Sequence, residues 1–399
     1  MSQFNCDILV SGGGVAGLSA AAVLGHGGFD VVCVDPAPPI MERDAEGADL
    51  RTTAILQPAQ ALLAEAGLWA RLEDHAAPLQ VMRIVDAGGA EPEPRIVKDF
   101  NAWDISDKPF GWNLPNWLLR REMVAHLETL PNVTFLPGTS AKALFTRESE
   151  ARVTLSDGTR STCRLVVAAD GRGSPMREAA GIKAHTTRYG QKALAFAVTH
   201  AIPHDNISTE IHRTGGPFTL VPLPDYEGRP SSAIVWMERS AEVTRLAALD
   251  VPEFEAEMSA RSCHLFGPLT LASRRTVWPI ISQLAERMCA ERVALVAEAA
   301  HVVPPIGAQG LNMSLGDIRA LLDLAQAQPD RLGDADMLEA YHERRHLEVT
   351  ARVKGIDVLN RASMVQTPVL RDARAAGLNA LYAMAPVRKT LMQMGLGVR

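Results

Sequence analysis

Residues 7 to 35 constrain the fold of this chain more than any other stretch. Asp7-Ile8-Leu9-Val10 reads as a strand, Ser11-Gly12-Gly13-Gly14-Val15-Ala16-Gly17 as a glycine turn, the alanine-rich run after it as a helix, and Asp30-Val31-Val32-Cys33-Val34-Asp35 as a second strand. Sterics assign the glycines: Gly12 makes the tight turn, Gly14 lets a pyrophosphate approach the backbone, and Gly17 lets the helix lie close against the strand. The free N–H groups of the helix beginning at Val15 and Ala16, with its positive end, face phosphate. Asp35 follows Gly17 by 18 positions, where a carboxylate accepts hydrogen bonds from a ribose hydroxyl pair. The pattern predicts a bound adenine dinucleotide; the competing reading is a structural βαβ turn.

The rest of the chain is that of an ordinary globular protein, with 399 residues, 47% hydrophobic and 22% charged, enough for a large core and two domains. A net charge of −6 argues against a nucleic-acid binder, which is usually basic. Five widely spaced cysteines without a C-x-x-C pair read as small buried hydrophobes in a reducing cytoplasm, with no metal site. No basic leader with a long apolar run opens the sequence, so no export signal is expected. No apolar run is long enough to predict a transmembrane helix, which leaves peripheral membrane contact open.

Along the chain, residues 36 to 50 read as an exposed loop and Pro58 to Leu72 as a helix. Residues 79 to 100 are strand-like in patches, a first excursion into a second domain. Asn116 to Leu130 returns to helical spacing, Ser156 to Thr159 reads as a hairpin turn, and Cys163 to Ala169 as a strand buried on both faces. From 190 to 280 the helical signal thins and short β segments dominate. Arg292 to Ala297 is another buried strand, Gly310 to Gln326 a helix, and Met337 to Leu359 and Pro368 to Met394 mostly helix.

Two further strand ends put polar groups at the carboxyl edge of the expected sheet, where ligands of open α/β folds bind. One is Asp170-Gly171-Arg172-Gly173-Ser174-Pro175-Met176-Arg177; the other runs from Ala297-Glu298 through His301 and Pro305 to Gln309-Gly310-Leu311-Asn312. With the N-terminal turn, these resemble the three signatures of the FAD-dependent aromatic hydroxylases. Asp170, Gly171, Ser174 and Arg177 match a D-G-x-x-S-x-x-R segment; Ala299, Ala300, His301, Pro305, Gln309, Gly310 and Asn312 match the G-D-A-A-H segment and its extension. Within the family the resemblance is nearest to the ubiquinone-biosynthesis hydroxylases, through Trp278-Pro279-Ile280, Gln309 to Asn312 and the tail from Tyr341. Two departures stand out. Ala297-Glu298 replaces the family's Gly-Asp, and Gly307-Ala308 replaces Ala-Gly.

The resemblance implies an α/β fold: a Rossmann-like FAD-binding domain of the 4-hydroxybenzoate hydroxylase type, with an inserted β-sheet substrate domain and C-terminal helices. Residues 1–76, 105–182 and 276–336 would form the discontinuous FAD domain, 77–104 and 183–275 the substrate domain, and 337–399 the helical tail. It places FAD against Gly12, Gly14, Val15, Ala16, Gly17, Asp35, Asp170 and Gly171, with Arg51, Asn116 and Arg120 near the phosphates or ribityl chain. Glu298 would meet the ribityl hydroxyls, and Pro305, Gly307, Ala308, Gln309, Gly310, Leu311 and Asn312 the pyrimidine edge of the isoalloxazine. Blander readings stay open: a solvated helix face for Arg120, a turn histidine for His301, helix caps for Asp170 and Ser174.

The implied reaction is reduction of the flavin by transient NADPH or NADH, addition of O2 to give a 4a-hydroperoxide, and attack on an electron-rich phenol; no catalytic side chain is assigned. The implied substrate is a small aromatic molecule, an isoprenoid-tailed phenol of ubiquinone biosynthesis. Other proteins of that route are candidate partners, and the expected location is cytoplasmic, with a peripheral position at the inner membrane left open. Oligomeric state is open. The alternatives are a hydroxylase of a small soluble phenol or aromatic acid, and an FAD-binding, non-catalytic accessory subunit.

Overall fold

Ile8, Leu9 and Val10 are apolar and have no solvent exposure, so the strand Gln3–Ser11 can be satisfied only at the centre of a sheet covered on both faces. It pairs in parallel with Arg160–Ala168 on one side and Val31–Asp35 on the other. Val293–Leu295 extends the parallel sheet beyond Arg160–Ala168, and Val133–Pro137 extends it beyond Val31–Asp35. The helix Val15–His26 packs across it, burying Leu18, Ala20 to Ala22 and Leu24. The hairpin at Ser156 to Thr159 joins antiparallel strands Ala151–Leu155 and Arg160–Ala168. Our computed structural model describes residues 3–89, 91–365 and 367–397; residues 1–2 and 398–399, at the ends of the expected division, lie outside them.

A second, mostly antiparallel sheet is ordered His301–Val302, Thr276–Ala285, Ala184–Thr199, Arg229–Arg239, Pro217–Tyr226, Ile207–His212, Val81–Asp86 and Ile96–Asn101. The strands at 81–101 therefore join strands more than a hundred residues later. Thr276–Ala285 is hydrogen-bonded in this sheet, against Ala184–Thr199, although the sequence groups residue 276 onward with the first unit. Side-chain alternation gives the sheet two unlike faces. Leu194, Phe196, Phe218, Ile234 and Trp236 pack with Phe254 in a separate core, while Ala193 and Met237 belong to the main core and Val235 packs against it.

Phe254 lies on a helix that the sequence reading lacks. Ser240–Ala248 and Val251–Arg261 are helical, inside the stretch read as β segments and loops. The signal was present: Asp250 caps the second helix by accepting the Glu253 N–H at 2.9 Å, and Pro252 sits in its first turn, an N-terminal signature. The helix Pro58–Leu72 is shorter than expected, Gln57–Glu65 followed by two 3-10 turns. The tail forms Ala335–Ser363, Pro368–Ala383 and Ala385–Leu396.

Candidate cofactor site

The glycine turn has the shape a diphosphate requires. Gly12 holds φ at +113°, and a side chain there would strike Ala169 O at 2.4 Å. A Cβ on Gly17 would lie 1.8 Å from Gly12 O, so helix and strand touch through bare backbone. A Cβ on Gly14 would meet nothing within 4 Å, and Gly14 is the N-cap of a helix with no side-chain cap and no acid in its first turn. Open space therefore lies over uncapped N–H groups, which fits an anion. Asp35 Oδ2 accepts the Gly13 N–H at 2.6 Å and Oδ1 that of Ala37 at 2.9 Å. A carboxylate has about four acceptor positions, so Asp35 ties the turn and keeps capacity for a ribose hydroxyl.

Arg51 and Asn116 converge on a residue that sequence reasoning missed, Asp49. Arg51 Nε and Nη2 donate to its two carboxylate oxygens at 2.8 and 2.7 Å, and Asn116 Nδ2 donates to Oδ2 at 3.0 Å. Burial opposes ionisation of Asp49, but the Arg51 and Asn116 hydrogen bonds and the Arg51 and Arg120 charges hold its pKa below the usual range. Burial likewise opposes the Arg51 cation, and Asp49 keeps it firmly charged. The Arg51 guanidinium stacks 4.0 Å from the ring centroid of Trp278. Asp49, Arg51 and Trp278 line a cavity of about 420 Å³ with Arg120 and Arg274. Arg120 Nε is buried there without a hydrogen-bond partner among the described residues, which a solvated helix face does not produce. Three guanidinium groups around one carboxylate fit the doubly charged diphosphate of FAD.

The segment Asp170 to Arg177 is a brace. Ser174 caps Pro175–Ala179 by accepting the Arg177 N–H at 2.9 Å. Asp170 accepts from the Ser174 hydroxyl, and its Oδ2 accepts the Met176 N–H at 3.1 Å. Burial pushes the Asp170 carboxyl above its ordinary pKa, against these bonds. Gly171 turns at φ +85°. Buried Arg177 donates to Ala299 O and Arg172 O, each at 3.0 Å, locking this strand end to the next.

The third segment leaves the strand Val293–Leu295 through Ala297 at φ +56° and enters the helix Gln309–Ala327 through Gly307 at +64° and Ala308 at +56°. Both alanines stand in the left-handed region that favours glycine. Replacing either by glycine is expected to raise stability by about 0.5 kcal/mol, the relief of strain less the extra freedom of the unfolded chain, read as a higher denaturant midpoint. Glu298 is exposed and its charge supports that of Arg51. Pro305 and Gly310 are exposed and Leu311 half-buried at a helix start with no side-chain cap. Asn312 fixes the turn: Nδ2 donates to Ala308 O at 2.6 Å and Ala54 O at 2.7 Å, and Oδ1 accepts the Leu56 N–H at 2.8 Å. Gln309 donates to Gly307 O at 2.8 Å and Gly395 O at 3.0 Å and accepts from Arg352 at 2.8 Å.

His301 has a structural partner. Its Nε2 lies 2.7 Å from Asp317 Oδ2, and Asp317 Oδ1 accepts from Arg345 Nε at 2.9 Å, all three buried. Burial opposes the Asp317 charge, but the His301 and Arg345 charges and hydrogen bonds lower its pKa. Arg345 continues through Glu348 to Arg352 and so to Gln309.

A glycine cradle, a cationic cavity and an uncapped helix start at the carboxyl edge of one parallel sheet define a dinucleotide-binding protein of the α/β class. Comparison with known proteins makes this specific. Residues 5–355 match the FAD binding domain family. The ubiquinone hydroxylase UbiL of Rhodospirillum rubrum is 33% identical over 98% of this chain and 89% of its own length. The 3-demethoxyubiquinol 3-hydroxylase of Escherichia coli is 25% identical over the full length of both chains. The crystal structure of p-nitrophenol 4-monooxygenase PnpA from Pseudomonas putida shares the fold over both whole chains, with a TM-score of 0.79 at 18% identity. The chain belongs to the FAD-dependent aromatic hydroxylases, in the branch that holds the ubiquinone hydroxylases, and is an FAD-dependent monooxygenase.

Proposed function

We propose that this protein hydroxylates the ring of a polyprenylphenol intermediate of ubiquinone biosynthesis, using NAD(P)H and O2. The observation that carries the reading is the 33% identity to a ubiquinone hydroxylase over 98% of the chain. FAD would lie with its diphosphate over Gly14 and beside Arg51 and Arg120, its ribose on Asp35 and its ribityl chain near Glu298. When bound it supplies the redox chemistry, taking hydride from the nicotinamide cofactor and activating O2. The N–H groups of Gly310 and Leu311 and the positive helix end favour negative charge on the pyrimidine edge.

In this reading the chain's own contribution to the ring chemistry comes from the face of the second sheet that carries Val235. Register across four strand pairs sets Ala195, Val235, Thr219, Glu210 and Ile84 in one transverse row. Glu210 is the one carboxylate in this row, and its Oε1 lies 2.7 Å from His212 Nε2, both groups mostly buried. We assign this pair to accept the phenol proton, which makes the ring more electron-rich. Glu210→Gln is expected to lower kcat about 100-fold with FAD content unchanged, read as turnover at saturating substrate against flavin absorbance. A variant that keeps full kcat removes Glu210 from the reaction.

The test of the whole reading is the spectrum of the purified protein and its anaerobic bleaching by NADPH. A yellow protein that bleaches faster with a polyprenylphenol supports it; faster bleaching only with a small aromatic acid overturns the substrate, and a protein colourless after FAD is supplied overturns the reaction.

A further inference from the structure

The last two described helices bury few of their residues. Pro368–Ala383 buries Ala375 alone, and Ala385–Leu396 buries Met392 and Leu396, which pack with Leu56 and Phe110. Yet the outward faces of these helices are apolar. On the first, Val369, Ala373, Ala376 and Ala380 recur at helical spacing, flanked by Leu370 and Leu381, and all are exposed. Its charges face elsewhere: Arg374 pairs with buried Asp86 at 2.8 Å, and Asp372 with Arg95 at 2.7 Å. On the second, Met384, Val387, Leu391 and Met394 form one exposed stripe. The end of the preceding long helix adds Val358, 64% exposed, and Leu359. A monomer in water rarely leaves so many large apolar side chains bare on successive helices.

Charge indicates the occupant. Residues 351–397 carry seven Lys and Arg against two carboxylates, in a chain whose net charge is −6. Arg352, Arg361, Arg374 and Arg388 pair with carboxylates and Arg371 turns inward beside Gly88, while Lys354 and Lys389 are exposed and have no salt bridge among the described residues. Basic helices with an exposed apolar stripe match an anionic bilayer surface, which takes the stripe into its headgroup boundary and the cations onto its phosphates. A second copy of this chain would instead bring equal positive charges together. No described helix is long and apolar enough to span a membrane.

We infer that the exposed faces of Pro368–Ala383 and Ala385–Leu396 seat the protein on an anionic lipid surface. The inference deepens the polyprenylphenol reading and rests on it for purpose: a tailed substrate is held in that surface, and the tail also joins the cofactor site through the Gln309 to Gly395 hydrogen bond.

The test floats the full chain with vesicles of phosphatidylcholine alone or with phosphatidylglycerol. Binding to the anionic vesicles only, falling severalfold as salt rises from about 0.1 M to about 0.5 M, is expected. The double variant Val387→Glu and Leu391→Glu, at solvent-facing positions, should lose at least about tenfold in bound fraction while hydroxylating a short-tailed, water-soluble phenol at the parent rate. No binding to anionic vesicles, or a variant that binds like the parent, overturns the inference, and so does light scattering that shows the face buried in a dimer or tetramer which the variant dissociates. Vesicle binding by a protein that hydroxylates no phenol sinks the enzymatic proposal and leaves the docking surface standing.

Discussion

Replacing Gly14 by valine is expected to leave the fold intact and strip the protein of FAD. Gly14 has φ −70° and ψ 174°, extended values that a β-branched residue adopts readily. The new side chain meets no neighbour within 4 Å of its Cβ, so the thermal midpoint should move little. It does fill the space over the uncapped helix start, and FAD affinity should fall by about 100-fold or more, equivalent to about 3 kcal/mol. Gly17→Ala separates the two roles: its Cβ would sit 1.8 Å from Gly12 O, so helix and strand must part, and stability should fall by about 3 kcal/mol. Flavin absorbance after gel filtration and a denaturant melt read both. A valine variant that stays yellow places the diphosphate elsewhere.

Asp317→Ala is expected to cost about 3–5 kcal/mol, because it strands two buried partners. Arg345 would keep a buried guanidinium with Met313 O and Glu348 for company, and His301 would lose its acceptor. Asp317→Asn keeps the volume and should fall between parent and alanine variant. The same residue gives the fold an acid limb. The folded pKa of Asp317 lies below its ordinary value, so its contribution is full above the unfolded carboxylate pKa, about 3.9. It is lost as pH falls from there through the lower folded value. Between pH 5 and pH 2 the alanine variant should lose less stability than the parent; equal slopes would assign the acid sensitivity to other carboxylates.

What the sequence determined by itself was local. Apolar strands buried on both faces, the glycine turn at Gly12 to Gly17 and the helix after Gln309 follow from periodicity and turn sterics over a few residues, and these carry the α/β class. The three strand-end segments were legible because each joins a strand to a turn with unusual residues, and the family match bears out the class they imply. The helices at 240–261 were also written locally, in Asp250 and Pro252, but β-like neighbours on both sides masked them.

Other features existed only once the chain had folded. Asp49 gathers Asn116 from 67 residues away, Asp317 gathers Arg345 across 28, and Arg374 reaches Asp86 across 288. Nothing in the neighbourhood of any one of these residues marks it, since the attraction that pairs buried charges acts through space and is strong only after burial has removed water. The same holds for the apolar stripes of the last two helices. Apolar residues at helical spacing ordinarily mark a buried face, and only the tertiary structure shows that the body of the protein covers one side of each helix and leaves the other bare.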